Sequence, residues 1–275
     1  MNRQLSHEGR THRYAATCRP CLAGIWALAW LVSTPLYAGM VTLSADRSLP
    51  QVDFAVAELR TALTTAGHAV TVTGLDAFPN DDVPTRIVMA GREQTAIIDG
   101  MRQEGASVSA LLRAEGFSLR RTTSQGRVTY WIIGADAAGV MYGGLELAEV
   151  IRIARWEGVE NVDQNPYMAL RGIKFNCPLD ERTPTYSNHN GDSQRKNVLV
   201  MWDMAFWKAY IDDLARFRYN HVSLWTLHPF PSMVRVPGYE KVALDDVQST
   251  TQTKKMTMDQ KIAFWREVMR YGKDS

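Results

Sequence analysis

From Val41 to about Arg155 the chain alternates between two hydrophobic periods. Residues 41–44 form a short run of strand character. Ser48 and Pro50 then introduce apolar positions at Val52, Val56, Leu59 and Leu63, the spacing of one helical face, which ends at Gly67. Val70 and Val72 alternate as a second strand, residues 86–90 (RIVMA) form a third, and residues 96–114 carry helical periodicity broken around Gly105. Two further runs, 117–122 and 128–133, flank Ser124-Gln125-Gly126 and predict a hairpin. Its second strand leads through residues 134–139 (GADAAG) into a helix over 140–153.

Such a glycine turn between strand and helix can hold a nucleotide, but Asp136 occupies the second glycine position of a dinucleotide fingerprint and Val140 the lysine position of a P-loop. The residues fit a structural role: Asp136 caps the helix, and the glycines let it pack close to the sheet. Residues 39–157 therefore read as a small α/β domain without chemistry of its own.

A polar, aperiodic stretch over 158–168 reads as a linker. Beyond it the order is strand, helix, strand, helix. The strand 169–176 (ALRGIKFN) precedes a helix over 203–218 with Trp207, Tyr210, Ile211, Leu214 and Phe217 on one face. A second strand, 221–227 (HVSLWTL), precedes a helix opened by a capping box, Thr257 with Gln260, and carrying Ile262, Trp265, Val268 and Met269. Repeated β/α units of this kind make a parallel sheet, open or closed into a barrel.

The N-terminus changes the charge picture. Arg3, Arg10, Arg13 and Arg19 precede an apolar run over 21–37, followed by Ala38-Gly39, the pattern of a signal peptide over 1–38; an uncleaved anchor is the rival. The run is shorter than the roughly 20 residues of a spanning helix and is broken by Pro35. Either way the remainder is expected in the periplasm or outside the cell, with no membrane association after cleavage. The 275 residues carry a formal charge of +2; losing four basic residues and one acidic residue leaves about −1. No Lys/Arg stripe then argues for nucleic acid. Cys18 and Cys21 leave with the leader, and the remaining Cys177 can form neither an internal disulfide nor a cysteine-based zinc site.

Candidate chemistry sits in two long loops that follow the second-half strands, because ligands of parallel β/α folds meet the C-terminal strand ends. The first loop carries Asp180, Glu181, Arg182, Tyr186, Asn188, His189, Asp192 and Trp202; the second begins His228-Pro229-Phe230-Pro231. Charged and amide groups suit sugar hydroxyls, and aromatic rings suit the flat C–H faces of sugars. Asp180 and Glu181 are adjacent and their side chains diverge, unlike a glycosidase pair facing one cleft. Arg171 is either a ligand clamp or half of a structural ion pair, and Trp225 either core packing or a sugar platform. His189 and His228 lack metal-ligand spacing.

Residues 115–151 (EGFSLRRTTSQGRVTYWIIGADAAGVMYGGLELAEVI) resemble the end of the accessory α/β domain that precedes the catalytic barrel in α-glucuronidases and β-N-acetylhexosaminidases. Residues 170–188 (LRGIKFNCPLDERTPTYSN) and 219–247 resemble the barrel start of α-glucuronidase-like glycosyl hydrolases. The resemblance implies an α/β fold: an accessory α/β domain followed by the first two β/α units of an incomplete (β/α)8 TIM barrel. Residues 169–275 supply 107 positions, where such a barrel takes roughly 250. It also implies glycosidic hydrolysis by two carboxylic acids, without a cofactor, on a carbohydrate substrate. Arg171 matches the sugar-gripping Arg of an Arg-Gly pair in hexosaminidases, while Asp180, Trp225 and His228 are substrate-binding candidates by location. The acid and base belong to later strands, so none is assigned and this chain alone is expected to be inactive. The alternatives are a non-catalytic carbohydrate-binding or cell-surface module and, with less support, a solute-binding protein.

Overall fold

Apolar runs too long for a half-exposed strand build the first sheet. It comprises β1 (Met40–Ala45), β2 (Ala69–Thr73), β3 (Thr85–Gly91), β4 (Phe117–Ser124), β5 (Arg127–Gly134) and β6 (Val162–Gln164), in the order β2-β1-β3-β5-β4-β6. β1, β2, β3 and β5 run parallel, whereas β4 is antiparallel to both its neighbours. In β3, Ile87 and Met89 enter one core while Val88 and Ala90 enter another; Tyr130 and Ile132 of β5 alternate with Trp131 and Ile133 in the same way. Helices α1 (Pro50–Thr65) and α3 (Ala137–Arg152) cover the first face and α2 (Thr95–Gln103) the second. The computed structural model describes residues 39–78, 83–153, 155–159, 161–183, 195–226 and 228–274. The expected leader lies outside them.

Local chemistry places each turn where the residue pattern predicts it. Gln125 and Gly126, at φ 51° and 78°, make the tight turn that closes the β4–β5 hairpin with Ser124 opposite Arg127. Asp136 caps α3, its Oδ1 accepting the Gly139 N–H at 2.8 Å and its Oδ2 the Glu115 N–H at 2.9 Å. A Cβ at Gly144 would lie 2.7 Å from Met89 Cε and 2.9 Å from the Ala55 Cβ, so α3 sits against the sheet and α1 at a distance that only glycine permits.

Residues 162–164 form β6, the edge strand of the first sheet, paired with β4 through Phe117–Leu119. Their polarity is that of an edge: Asp163 accepts from Arg120 at 2.6 Å and from Ser118 at 2.5 Å, and Asn165 accepts the Arg113 N–H at 2.7 Å.

The second region contains β7 (Gly172–Asn176) paired in parallel with β8 (His221–Trp225), with α4 (Met204–Arg216) between them in sequence and α5 (Met258–Asp274) after. A small antiparallel ribbon, β9 (Asp246–Gln248) and β10 (Thr253–Lys255), lies in the loop after β8. Asp203 caps α4 through the Ala205 N–H, and Thr257 and Gln260 form the reciprocal capping box of α5. Trp207 and Trp265 meet edge to face between the helices at a centroid separation of 5.3 Å. Phe217 and Met269, expected on the apolar faces, are instead 75% and 61% exposed; Phe217 is the C-cap residue of α4, and Met269 borders an open cavity beside β8. Among the described residues this sheet has two strands and closes no ring.

Asp136→Ala removes the acceptor that caps α3 and the acceptor of the Glu115 N–H, and is expected to lower the unfolding free energy by about 1–2 kcal/mol, with Asp136→Asn losing less. Urea titration of the three proteins checks this; equal stabilities would show that the cap contributes nothing.

Candidate functional site

The two ends of the β7–β8 pair have different chemistry. At the N-terminal end, Arg171 immediately precedes β7. Its guanidinium donates to Glu115 at 2.5 Å, the Tyr142 hydroxyl at 3.2 Å, Met168 O at 2.8 Å and Arg218 O at 2.7 Å, and lies over the Tyr142 ring. Asn220 donates to the same Glu115 carboxylate at 2.9 Å. Burial works against the Arg171 charge, but Glu115 outweighs it and holds the guanidinium above its ordinary range. Of the two roles weighed for Arg171, the geometry carries the structural ion pair: the donors are engaged, and they stand at the strand end opposite the one where ligands of parallel β/α folds bind.

Asp180 stands past the C-terminal end of β7, buried to 1% exposure. Arg182 grips it in a fork, Nε to Oδ1 at 2.7 Å and Nη2 to Oδ2 at 2.8 Å, and the Gln248 N–H adds a bond at 2.9 Å. Burial pushes this carboxyl up, yet the bonds from Arg182 and the Gln248 backbone prevail and hold it below the ordinary aspartate range. Arg182 also reaches Asp246 at 2.6 Å, and Lys261, with no exposed surface, donates to Leu244 O at 2.8 Å and Asp246 O at 2.6 Å. Burial lowers the Lys261 ammonium below its usual range, against the support of Asp180 and Asp246. The cluster sews the loop after β7 to the loop after β8, so Asp180 serves as a loop clasp, and its oxygens are not presented to a ligand.

The remaining candidates lie on one face. Side chains alternate along both strands: Phe175 and Leu224 join the helix-side core, whereas Lys174, Asn176, Ser223 and Trp225 belong to the opposite face. Trp225 ends β8 half-buried, with the Lys174 ammonium 4.6 Å from its ring centroid. His228 is exposed just beyond. Cys177 follows β7 but is buried, and burial pushes its thiol up to about 12, which keeps it protonated and unreactive at neutral pH. Tyr186, Asn188, His189 and Asp192 lie outside the described residues. Lys174, Asn176 and Ser223 escaped the sequence reading, although the alternation of Ile173 with Phe175 already places Lys174 and Asn176 on the other face.

No family model matches the chain, and no curated protein matches it. Among solved structures it resembles a GH138 enzyme targeting pectin rhamnogalacturonan II, with 18% identity and a TM-score of 0.55 over 86% of this chain and 23% of that one. At this identity the likeness is one of fold. A GH115 4-O-methyl-α-glucuronidase with specificity for decorated arabinogalactans aligns at 20% identity and a TM-score of 0.46, over 68% of this chain and 25% of that one. A GH84 protein aligns at 11% and 0.45, over 84% and 39%. The chain thus spans about a quarter of the length of the GH138 enzyme whose fold it shares.

The Asp180 clasp generates a pH dependence. Its folded carboxyl is held below the unfolded value of about 3.9, so its stabilisation is complete above that value and is lost as pH falls through the folded pKa. Asp180→Asn is expected to cost about 2 kcal/mol at pH 7 and to flatten the loss of stability below about pH 4. Urea midpoints of both proteins from pH 2 to 7 check this; parallel curves would exclude the clasp.

Proposed function

We propose that the chain supplies a saccharide-binding wall to an exported, carbohydrate-active protein of glycoside-hydrolase type. The observation that carries this reading is the shared strand face of Lys174, Asn176, Ser223 and Trp225, with His228 beside it. A pyranose packs its C–H face on an aromatic ring, while amide, hydroxyl and ammonium groups meet its hydroxyls. The two parallel strands and their helices are read as the opening of a (β/α)8 barrel whose interior this face would line, in keeping with the sequence pattern and the likeness in fold to the GH138 enzyme. That enzyme targets pectin rhamnogalacturonan II, which makes pectic saccharide the first ligand class to test. An α-glucuronidase-like specificity is the finer expectation, supported by the sequence resemblance alone, and export is supported by the leader pattern.

Most glycoside hydrolases use two carboxyl groups facing one cleft about 5 to 10 Å apart. Asp180 is committed to Arg182 and Gln248, and no acid, base or nucleophile is assigned among the described residues. The chain by itself is therefore proposed to bind without cleaving, as a non-catalytic carbohydrate-binding module would. Arg171 is not retained among the ligand contacts.

Isothermal titration with rhamnogalacturonan oligosaccharides is expected to show saturable binding that Trp225→Ala weakens roughly fivefold, the loss of about 1 kcal/mol of ring packing. Wild-type chain that binds none of these, nor xylan or arabinogalactan oligosaccharides, would exclude a saccharide-binding role. Aryl glycosides are expected to show no turnover.

A further inference from the structure

The first sheet carries a cavity of its own. β1 lies between β2 and β3, all three parallel, with Ser44 opposite Thr73 on one side and Val88 on the other. From β1 the chain leaves through α1 on one face of the sheet toward β2; from β3 it leaves through α2 on the other face toward β4 and β5. Connections that part in this way open a crevice beyond the C-terminal strand ends, which is where open α/β sheets bind ligands. A cavity of about 430 Å³ lies there, lined by residues 45–47 at the end of β1, 72–76 at the end of β2 and Gln94 after β3. Its size falls within the roughly 300–1,000 Å³ of small-molecule sites.

The groups around it mostly accept hydrogen bonds. Asp46 Oδ1 takes the Ser48 N–H at 3.0 Å and the Ser48 hydroxyl at 2.6 Å, and its Oδ2 has no partner among the described residues. The Asp76 carboxylate has none either. It stands over Gly74, where a Cβ would collide with Oδ1, so glycine is required there although its φ of −73° is open to any residue. Gln94 Oε1 accepts the Gly91 N–H at 3.0 Å, which leaves Nε2 to donate. Arg47 is the one cation of the lining, and its Nε is committed to Asp53 at 2.6 Å. Carboxylates with spare oxygens suit hydroxyl donors and repel an anion, while Arg47 beside them works against a bare metal ion. We propose that this crevice is a second saccharide site, taking a neutral sugar unit whose hydroxyls donate to Asp46 and Asp76 and one of whose oxygens accepts from Gln94. It does not rest on the Trp225 face, so either site can fail without the other.

Charge supplies the test. Amide-resolved NMR titration of the full chain at pH 7 compares D-galactose and D-glucose, each with its own uronate. At least one neutral sugar is expected to saturate and to shift the amides of Gly74, Asp76 and Gln94, while its uronate binds there at least threefold more weakly. Asp76 is exposed, so Asp76→Asn leaves the core intact. This variant is expected to weaken the neutral sugar at least threefold and to narrow its margin over the uronate, because a repelling charge is gone. Absence of saturation at these amides overturns the proposal, as does a uronate penalty under threefold or an Asp76→Asn chain that binds like wild type. Calcium chloride that shifts the same amides where neutral sugars do not marks a cation site and overturns it too. Sugar-induced shifts confined to Ser223 and Trp225 overturn this site while sparing the saccharide wall of the second region.

Discussion

The ion pair between Arg171 and Glu115 is the constraint on which the arrangement of the two regions depends. Glu115 sits in the left-handed region at φ 63°, in the turn that leads into β4, with its N–H held by Asp136. From there its carboxylate receives Arg171 and Asn220, the residues just before β7 and β8. Arg218, left-handed at φ 64°, presents its carbonyl to the same guanidinium. Non-glycine residues adopt this backbone at a cost of order 1–3 kcal/mol each, and persist there only where their surroundings hold them. Arg218 is held by Glu146 and Glu149 of α3 at 3.3 and 3.2 Å, and a separate pairing joins the same elements: Glu58 of α1 receives Arg152 of α3 at 2.5 Å and Arg216 of α4 at 2.8 Å. Burial raises the Glu58 carboxyl, but the two guanidiniums prevail and keep it ionised below its ordinary range.

Anchoring the strands at their N-terminal ends leaves the C-terminal ends to the long loops. These are ordered by burying charge in pairs: Asp180 with Arg182, and Lys261 on the carbonyls of Leu244 and Asp246. A buried ion left without its partner costs several kcal/mol, so the cluster holds as a unit or is lost as one. The same commitment removes Asp180 from chemistry. An acid at the rim of a strand pair is a natural catalytic candidate, but an acid with both oxygens occupied by a guanidinium fork and a backbone N–H is a fastening.

The strand pair is consequently asymmetric. One face is closed by helices through Phe175, Leu224, Trp207 and Trp265, and the other presents polar groups around Trp225. Along the edge of β8 that faces away from β7, Val222 and Leu224 line a cavity together with residues of α4 and α5.

Residue order by itself determined the local elements, because the forces that set them act within a few positions. The apolar period from Val52 to Leu63, the Gln125-Gly126 turn, the Asp136 cap and the Thr257–Gln260 box each form where the pattern predicts them. Whether a polar side chain serves binding or architecture is set by partners far along the chain, and this the tertiary structure alone decided. Arg171 meets Glu115 56 positions away, Asp180 meets Gln248 68 positions away, and the aperiodic residues 162–164 become a strand only because β4 offers them an edge. An isolated Arg or Asp has the same character in either role; its role is fixed by which oppositely charged group the fold brings within hydrogen-bonding reach.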